Sequence, residues 1–311
     1  MAEYIGIQTQ IRRNNARSVL LLIGFPLLIL AAVYAFLYLT IPQEEYNVSI
    51  SEMFVDTIPG VLIAVAVWFV IAFLFHSRMI SGAAGSRPLE RKENMRVYNL
   101  VENLCISKGM KMPKVNIIED PAFNAFASGI NEKSYTVTLT RGIMEALNDE
   151  ELEGVIAHEL MHIRNKDVRL LIISIIFVGI FSFVAQILFR SMLFGGGRRR
   201  GKGDNRAMLI AMVIAIVAYL LSMLFRFALS RKREYMADSG AAEMTRNPRA
   251  LASALRKIAG NYQVKGVKSD DVAELFIENR PDKSSGIMSS ISGLFATHPP
   301  IEKRIEILEN F

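Results

Sequence analysis

Four stretches of this 311-residue chain, residues 18–43, 57–77, 170–189 and 207–225, contain no Asp, Glu, Lys or Arg. Each is near or above the roughly 20 apolar residues that a helix needs to cross the hydrocarbon core of a bilayer. They account for a hydrophobic content of 51%, more than a soluble domain of this length needs. The first run is too long for a signal peptide and has no small-residue cleavage site ahead of Gln43, so it reads as a retained anchor. What remains is two polar blocks, residues 78–169 and 226–311, which together suffice for one domain with its own core. The expected organisation is an N-terminal tail with two transmembrane helices (1–77), a first polar part (78–169), an apolar helical hairpin that crosses or lies embedded in the membrane (170–225), and a second polar part (226–311).

Charge orients this arrangement. Arg12, Arg13 and Arg17 precede the first run, and Arg78, Arg87, Arg91, Lys92 and Arg96 follow the second. Between them the connecting segment carries Glu44, Glu45, Glu52 and Asp56 and no base. Basic flanks stay in the cytoplasm, so the tail and the polar blocks are expected there, with both ends of the chain on that side. The hairpin is bounded by bases at both ends and in its connecting loop, and charge does not decide whether it crosses fully. Two crossings or none leave its ends on the same side. The net charge of +6 is clustered beside apolar segments, where anionic lipid headgroups are the expected partner. No nucleic-acid motif is present. The single cysteine, Cys105, excludes an internal disulfide and suits a reducing compartment.

Within the first polar block, residues 89–109 space Leu89, Val97, Leu100, Val101 and Leu104 as a helix does. Residues 115–118, 125–130 and 135–139 read as strands, with turn residues at 131–133. Asn148 starts a helix, and Glu151 three residues on completes a capping box. In the second block Asn247-Pro248 reads as an N-cap followed by proline at the first helical position. Residues 265–293 are rich in Ser, Asp and Gly and read as an irregular, mobile insertion.

The chemistry concentrates in His158-Glu159-Leu160-Met161-His162. On a helix, positions i and i+4 share a face, so both imidazoles can reach one tetrahedral metal while Glu159, one residue round, holds a water beside it. Two of the chain's four histidines fall here. A third ligand must come from elsewhere. Glu234 and Asp238 stand one turn apart on a helix continuing from the fourth apolar run; one can complete the site while the other orients a ligand histidine through its far nitrogen. Asp167, five residues past His162, reads equally as such an orienting carboxylate or as a helix-end charge.

The order of these elements resembles the M48 metallopeptidases, specifically the HtpX-type heat-shock membrane proteases. Two further stretches match that family: Asn124-Ala125-Phe126-Ala127 ahead of the histidine helix, and His298-Pro299-Pro300 followed by Arg304-Ile305. The resemblance runs from the first apolar run to the C-terminus. It implies an α-helical membrane protein with an α+β zincin-like catalytic domain, mostly α with a small antiparallel or mixed sheet, divided between the two polar blocks. It implies one zinc ion per chain, held by His158, His162 and Glu234, because the family's Glu-x-x-x-Asp order puts the ligand first. Asp238, Asp167 and Arg304 then stand behind the ligands. The zinc-activated water gives up its proton to Glu159 as general base, and His298 becomes the candidate electrophile for the oxyanion. Asn124 to Ala127 are expected to form an exposed sheet edge that binds extended substrate by strand addition. The implied function is endopeptidase quality control of misfolded or damaged membrane proteins and unfolded polypeptides in the cytoplasmic (inner) membrane. Oligomeric state and the role of the Gly-Arg loop at 195–203 are not legible.

Two other classes compete. A catalytically inactive membrane scaffold or sensor with a structural metal site would more naturally lack Glu159. A transporter would place ionisable residues inside its spans, and these spans have none.

Overall fold

The computed structural model describes residues 7–41, 49–194, 202–227, 231–265, 267, 270–273, 275–278 and 298–311. It divides into two compact units. One comprises Ala16–Phe75 and Ile173–Arg226; the other comprises Met1–Asn15, His76–Ile172 and Phe227–Phe311.

The first unit is built from the greater part of four helices, α1 (Ile7–Thr40), α2 (Ile50–Ala84), α6 (Asp167–Phe194) and α7 (Lys202–Phe227). Three segments are long and apolar enough to cross a membrane, Ile11–Thr40, Ile50–Ala84 and Asp167–Ile187, and Arg206–Leu221 is a shorter apolar helix. Aromatic rings fasten this unit. Phe25 stacks on Phe177 at 4.6 Å, Phe69 stacks on Phe177 at 5.6 Å, and the Trp68 indole donates to Ile176 O at 3.1 Å. Large apolar side chains such as Leu20, Ile63, Leu74 and Val213 are exposed, as befits helices whose solvent is hydrocarbon. One boundary differs from the sequence expectation. Glu52 and Asp56 lie on the first turns of α2, whose helical bonding begins with Glu52 N–H to Ser49 O, and not in a connecting loop. Carboxylates near a helix N-terminus complement its dipole, which is why the helix starts ahead of the charge-free run.

In the second unit a four-stranded mixed sheet has the order β1 (Ser86–Pro88), β2 (Lys114–Ile118), β4 (Thr136–Thr140), β3 (Ala125–Ser128). β2 and β4 are parallel; β1 and β3 flank them antiparallel. α3 (Met95–Ser107) begins later than its apolar spacing suggests, because Asn94 caps it and Leu89 N–H is bonded to Val115 O, which ties Leu89 to the sheet. α4 (Arg141–Ala146) follows β4 directly. α5 (Asp149–Arg164) packs on β3 and against α8 (Arg231–Thr245) and α9 (Pro248–Gly260).

α5 starts where its sequence says it should. The Asn148 side chain accepts from Glu151 N–H, and the Glu151 carboxylate accepts from Asn148 N–H. Glu151 also receives Lys257 Nζ at 2.6 Å and the Ser253 hydroxyl at 2.7 Å, which fixes the start of α5 to α9. Asn247 caps α9 with Pro248 following, as expected. At Gly240 a Cβ would stand 2.4 Å from Met161 Cε, so any larger residue there would have to displace the Met161 side chain of the histidine-bearing helix. A short turn, α10 (Asp270–Ala273), and α11 (Ile301–Glu309) complete the unit. The insertion expected at 265–293 and the Gly-Arg loop at 195–203 lie largely outside the described residues.

Candidate metal centre

One residue from each of two turns of α5, and one from the first turn of α8, meet inside the second unit. His158 is fully buried, Glu234 is 4% exposed, and one ligand-type atom from each of His158, His162 and Glu234 lies within 4.8 Å of the others. Their spacing is specific. The two histidine Nε2 atoms are 3.1 Å apart; His158 Nε2 stands 3.6 Å from Glu234 Oε2, and His162 Nε2 stands 3.5 Å from Glu234 Oε1. Tetrahedral zinc with bonds of about 2.0–2.2 Å separates its donor atoms by roughly 3.3–3.6 Å, so the two histidine–carboxylate edges match a bound ion and the histidine–histidine edge falls slightly short of it.

Each histidine is held at its other nitrogen. His158 Nδ1 is 2.9 Å from Asp238 Oδ1, and His162 Nδ1 is 3.2 Å from Asp167 Oδ2. A carboxylate at Nδ1 keeps the proton there and leaves the Nε2 lone pair free for a metal. Arg304, with no exposed surface, closes on Asp238 with two parallel bonds, Nε to Oδ2 at 2.8 Å and Nη2 to Oδ1 at 2.7 Å. Its Nη1 donates to Ile277 O at 3.2 Å and stands 3.7 Å from Glu234 Oε2. His298 presents Nδ1 to Glu234 Oε2 at 3.1 Å.

Asp167 reaches back to His162 through a tight turn. Asn165 caps α5, and Lys166 takes a left-handed conformation with φ 61° before α6 begins. For a non-glycine residue this conformation costs on the order of 1 kcal/mol or more, and the surrounding hydrogen bonds hold it.

Charge in the centre is unbalanced. Glu159, Glu234, Asp238 and Asp167 are all buried, with Arg304 and Arg233 as the buried bases. The consequences appear in the ionisation of the group. Burial alone would lower the His162 pKa, but the charge of Glu234 and the bond to Asp167 push it up to about 10. Burial opposes the charged form of Glu234 too, yet His298 and His162 hold its carboxyl well below the usual range. A site that draws protons onto its histidines this strongly is one that a divalent cation would fit, and Glu234 Oε2 is buried with no hydrogen-bond partner among the described residues. Glu159 is different. Burial pushes its carboxyl up, as does the charge of Glu234, while the Ala127 N–H donates to it. A raised carboxyl beside the histidines has the proton affinity that general-base work requires.

The sequence expectation for Asn124 to Ala127 needs correction. β3 is an edge strand, but all four of its residues are buried. Residues 275–278 cover it: Ile277 N–H donates to Ala125 O at 2.8 Å, Asn124 Nδ2 donates to Glu278 O at 2.8 Å, and Phe276 packs edge-on against Phe126. A four-residue apolar piece inside a polar insertion carries no period that would announce this. Sequence reading also missed Asn14. Its side chain is fully buried and donates to Asp167 Oδ1 at 2.6 Å and to Asn165 O at 2.8 Å.

Comparison with known proteins gives a consistent result. Residues 91–311 match the model of Peptidase family M48. A protein of Bacteroides fragilis named Protease HtpX homolog is 58% identical over 99% of this chain and 100% of its own length. One of the same name from Dictyoglomus turgidum is 44% identical over 76% of each chain. Among solved structures, that described as the crystal structure of S. mikatae Ste24p aligns with 89% of this chain at TM-score 0.48 and 17% identity, and this chain spans 61% of its length.

Proposed function

Because the chain belongs to peptidase family M48 and is a membrane protease of the HtpX type, we propose that it is a zinc endopeptidase whose single ion is held by His158, His162 and Glu234. The observation that carries this reading is that the two Nε2 atoms lie 3.1 Å apart and each faces a Glu234 oxygen, at 3.6 Å from His158 and 3.5 Å from His162, with the far nitrogen of each histidine on a carboxylate. Zinc in such a site supplies Lewis acidity toward a water and toward the scissile carbonyl. The protein supplies the rest. Glu159, held by Ala127 N–H and raised by burial, accepts the proton of the attacking water and delivers it to the leaving amine. His298, 3.1 Å from Glu234, is the residue assigned to donate to the oxyanion, and Arg304 holds Asp238 against His158. Residues 275–278 already occupy the Ala125 position of the edge strand. On this reading its substrates are unfolded polypeptides and damaged membrane proteins, hence quality control in the cytoplasmic membrane.

Purified full-length protein in detergent is expected to carry one zinc per chain and to cleave casein. Chelation should abolish cleavage and stoichiometric zinc should restore it. Zinc bound elsewhere, with His162→Ala loading like wild type, would overturn the assignment. The cytoplasmic side follows from the bases around the apolar runs. With Cys105→Ser as background, Ser49→Cys and Phe311→Cys are expected to label from opposite faces of the membrane. Labelling of both from one face would refute that orientation.

A further inference from the structure

Asn14 stands on α1, four residues ahead of the charge-free run that begins at Ser18, far from every residue of the metal centre in sequence. Its side chain is nevertheless fully buried in the same unit as that centre. The amide nitrogen has two protons, and each has a partner. One goes to Asp167 Oδ1 at 2.6 Å, the other to Asn165 O at 2.8 Å. Asn165 is the cap of α5, and Asp167 is the first residue of α6, so one amide ties together the two ends of the strained Lys166 turn.

The other oxygen of Asp167 faces His162 Nδ1 at 3.2 Å. Resting on the zinc reading above, we infer that Asn14 is a positioning residue for the metal: it orients Asp167, and through Asp167 it fixes the ring and the tautomer of His162. The physical reason lies in what the carboxylate would otherwise do. A buried carboxylate with one oxygen unheld can rotate about its Cβ–Cγ bond or take a water, and either turns Oδ2 away from Nδ1. The bond from Asn14 to Asp167 Oδ1, with the amide itself held by Asn165 O, removes that freedom. A neutral donor does so without neutralising Asp167, so the full negative charge stays available to raise the basicity of His162. The start of α1, ahead of its charge-free run, is therefore part of the site, and the first membrane helix contributes to its chemistry.

The test uses full-length protein in detergent, with zinc affinity read by chelator competition and geometry read from the visible spectrum of the cobalt-loaded form. Asn14→Leu, of similar size but with no donor, is expected to weaken zinc roughly 10–100-fold and to change the cobalt spectrum. Asn14→Asp, which faces Asp167 with a like charge, should weaken it at least as much. The decisive comparison is made with Asp167→Asn already present. If Asn14 acts through Asp167, adding Asn14→Leu there changes zinc affinity by no more than about twofold. Losses that simply multiply, or wild-type zinc affinity in Asn14→Leu, would show a packing role only and overturn the inference. Should Asn14→Leu not fold, Asn14→Ser, with one proton for two acceptors, is judged by the same limits. The zinc reading itself fails differently, through a wild-type protein that does not bind zinc or a His162→Ala protein that binds it unchanged.

Discussion

The two histidines of α5 are supported in the same way at Nδ1 and in opposite ways one step further out. Behind His158, Asp238 is clamped by a guanidinium with no exposed surface, so the arm is a charge-balanced pair sealed from water. Behind His162, Asp167 is held by a neutral amide, and the histidine side chain keeps 13% of its surface exposed. One arm is rigid because opposite charges lock it. The other has a neutral amide on its carboxylate, lies closer to solvent, and is continuous with the first membrane helix. A single helix thus carries one histidine anchored inside the domain and one tied to the start of the first membrane helix.

The largest effect should leave both arms intact. Glu159→Gln removes the base without touching a ligand, and peptide hydrolysis is expected to fall by roughly 10²–10⁴-fold while zinc stays bound. Loss of zinc along with activity would mean that Glu159 belongs to one of the arms. Next comes the contrast between their supports. Arg304→Met leaves Asp238 buried without its counter-charge, which should cost about 3–5 kcal/mol of unfolding free energy. Asn14→Leu removes hydrogen bonds but no charge and should cost about 1–3 kcal/mol in the same denaturant titration. Equal costs would erase the distinction.

Acid should separate the arms as well. Burial alone would raise the Asp238 carboxyl, but Arg304, aided by His158, holds it at about 2 against an ordinary 3.8. A pKa depressed on folding means stabilisation that is present above the ordinary value and lost as pH falls through the folded one. Metal-free protein should therefore lose this contribution between those two values, and Arg304→Met should flatten that limb of the stability curve. An unchanged limb would show that the guanidinium is not what depresses the carboxyl. The smallest effect concerns the helix both arms share. Burial works against the charged form of Glu151, yet Lys257, Ser253 and Asn148 N–H lower its pKa. Glu151→Gln is expected to cost about 1 kcal/mol above the ordinary carboxylate range and less in acid, with no preference between the two histidines.

How legible each part was in the sequence follows from how local its cause is. The start of α5, its capping box and the shared face of His158 and His162 depend on contacts within four residues, and the pattern gave them correctly. Glu234 and Asp238 were visible because the apolar hairpin returns the chain to one face, although only three-dimensional contact shows Asp238 on His158 Nδ1 and Glu234 toward the ligand atoms. Asp167 was ambiguous between helix-end charge and histidine support, and it lies at the start of α6 and beside His162 at once. Asn14 was hidden, since an asparagine among arginines ahead of an apolar run looks like part of a cytoplasmic tail. The exposed edge expected at Asn124 to Ala127 was wrong for a similar reason. Its cover comes from residues about 150 positions away, and nothing periodic marks them.

The guanidinium that balances Asp238 comes from a residue 66 positions later in the chain. During synthesis both histidines, Glu234 and Asp238 leave the ribosome well before Arg304 does. Until it arrives, burying Asp238 beside His158 would leave an uncompensated charge in the interior, so the nascent domain is biased against closing around its ligands. On the proposed reading, in which the protease acts on unfolded chain, its own unfinished body is its nearest target. Placing the keystone charge late in translation keeps the enzyme blunt for that interval, and it sharpens only when the domain is complete.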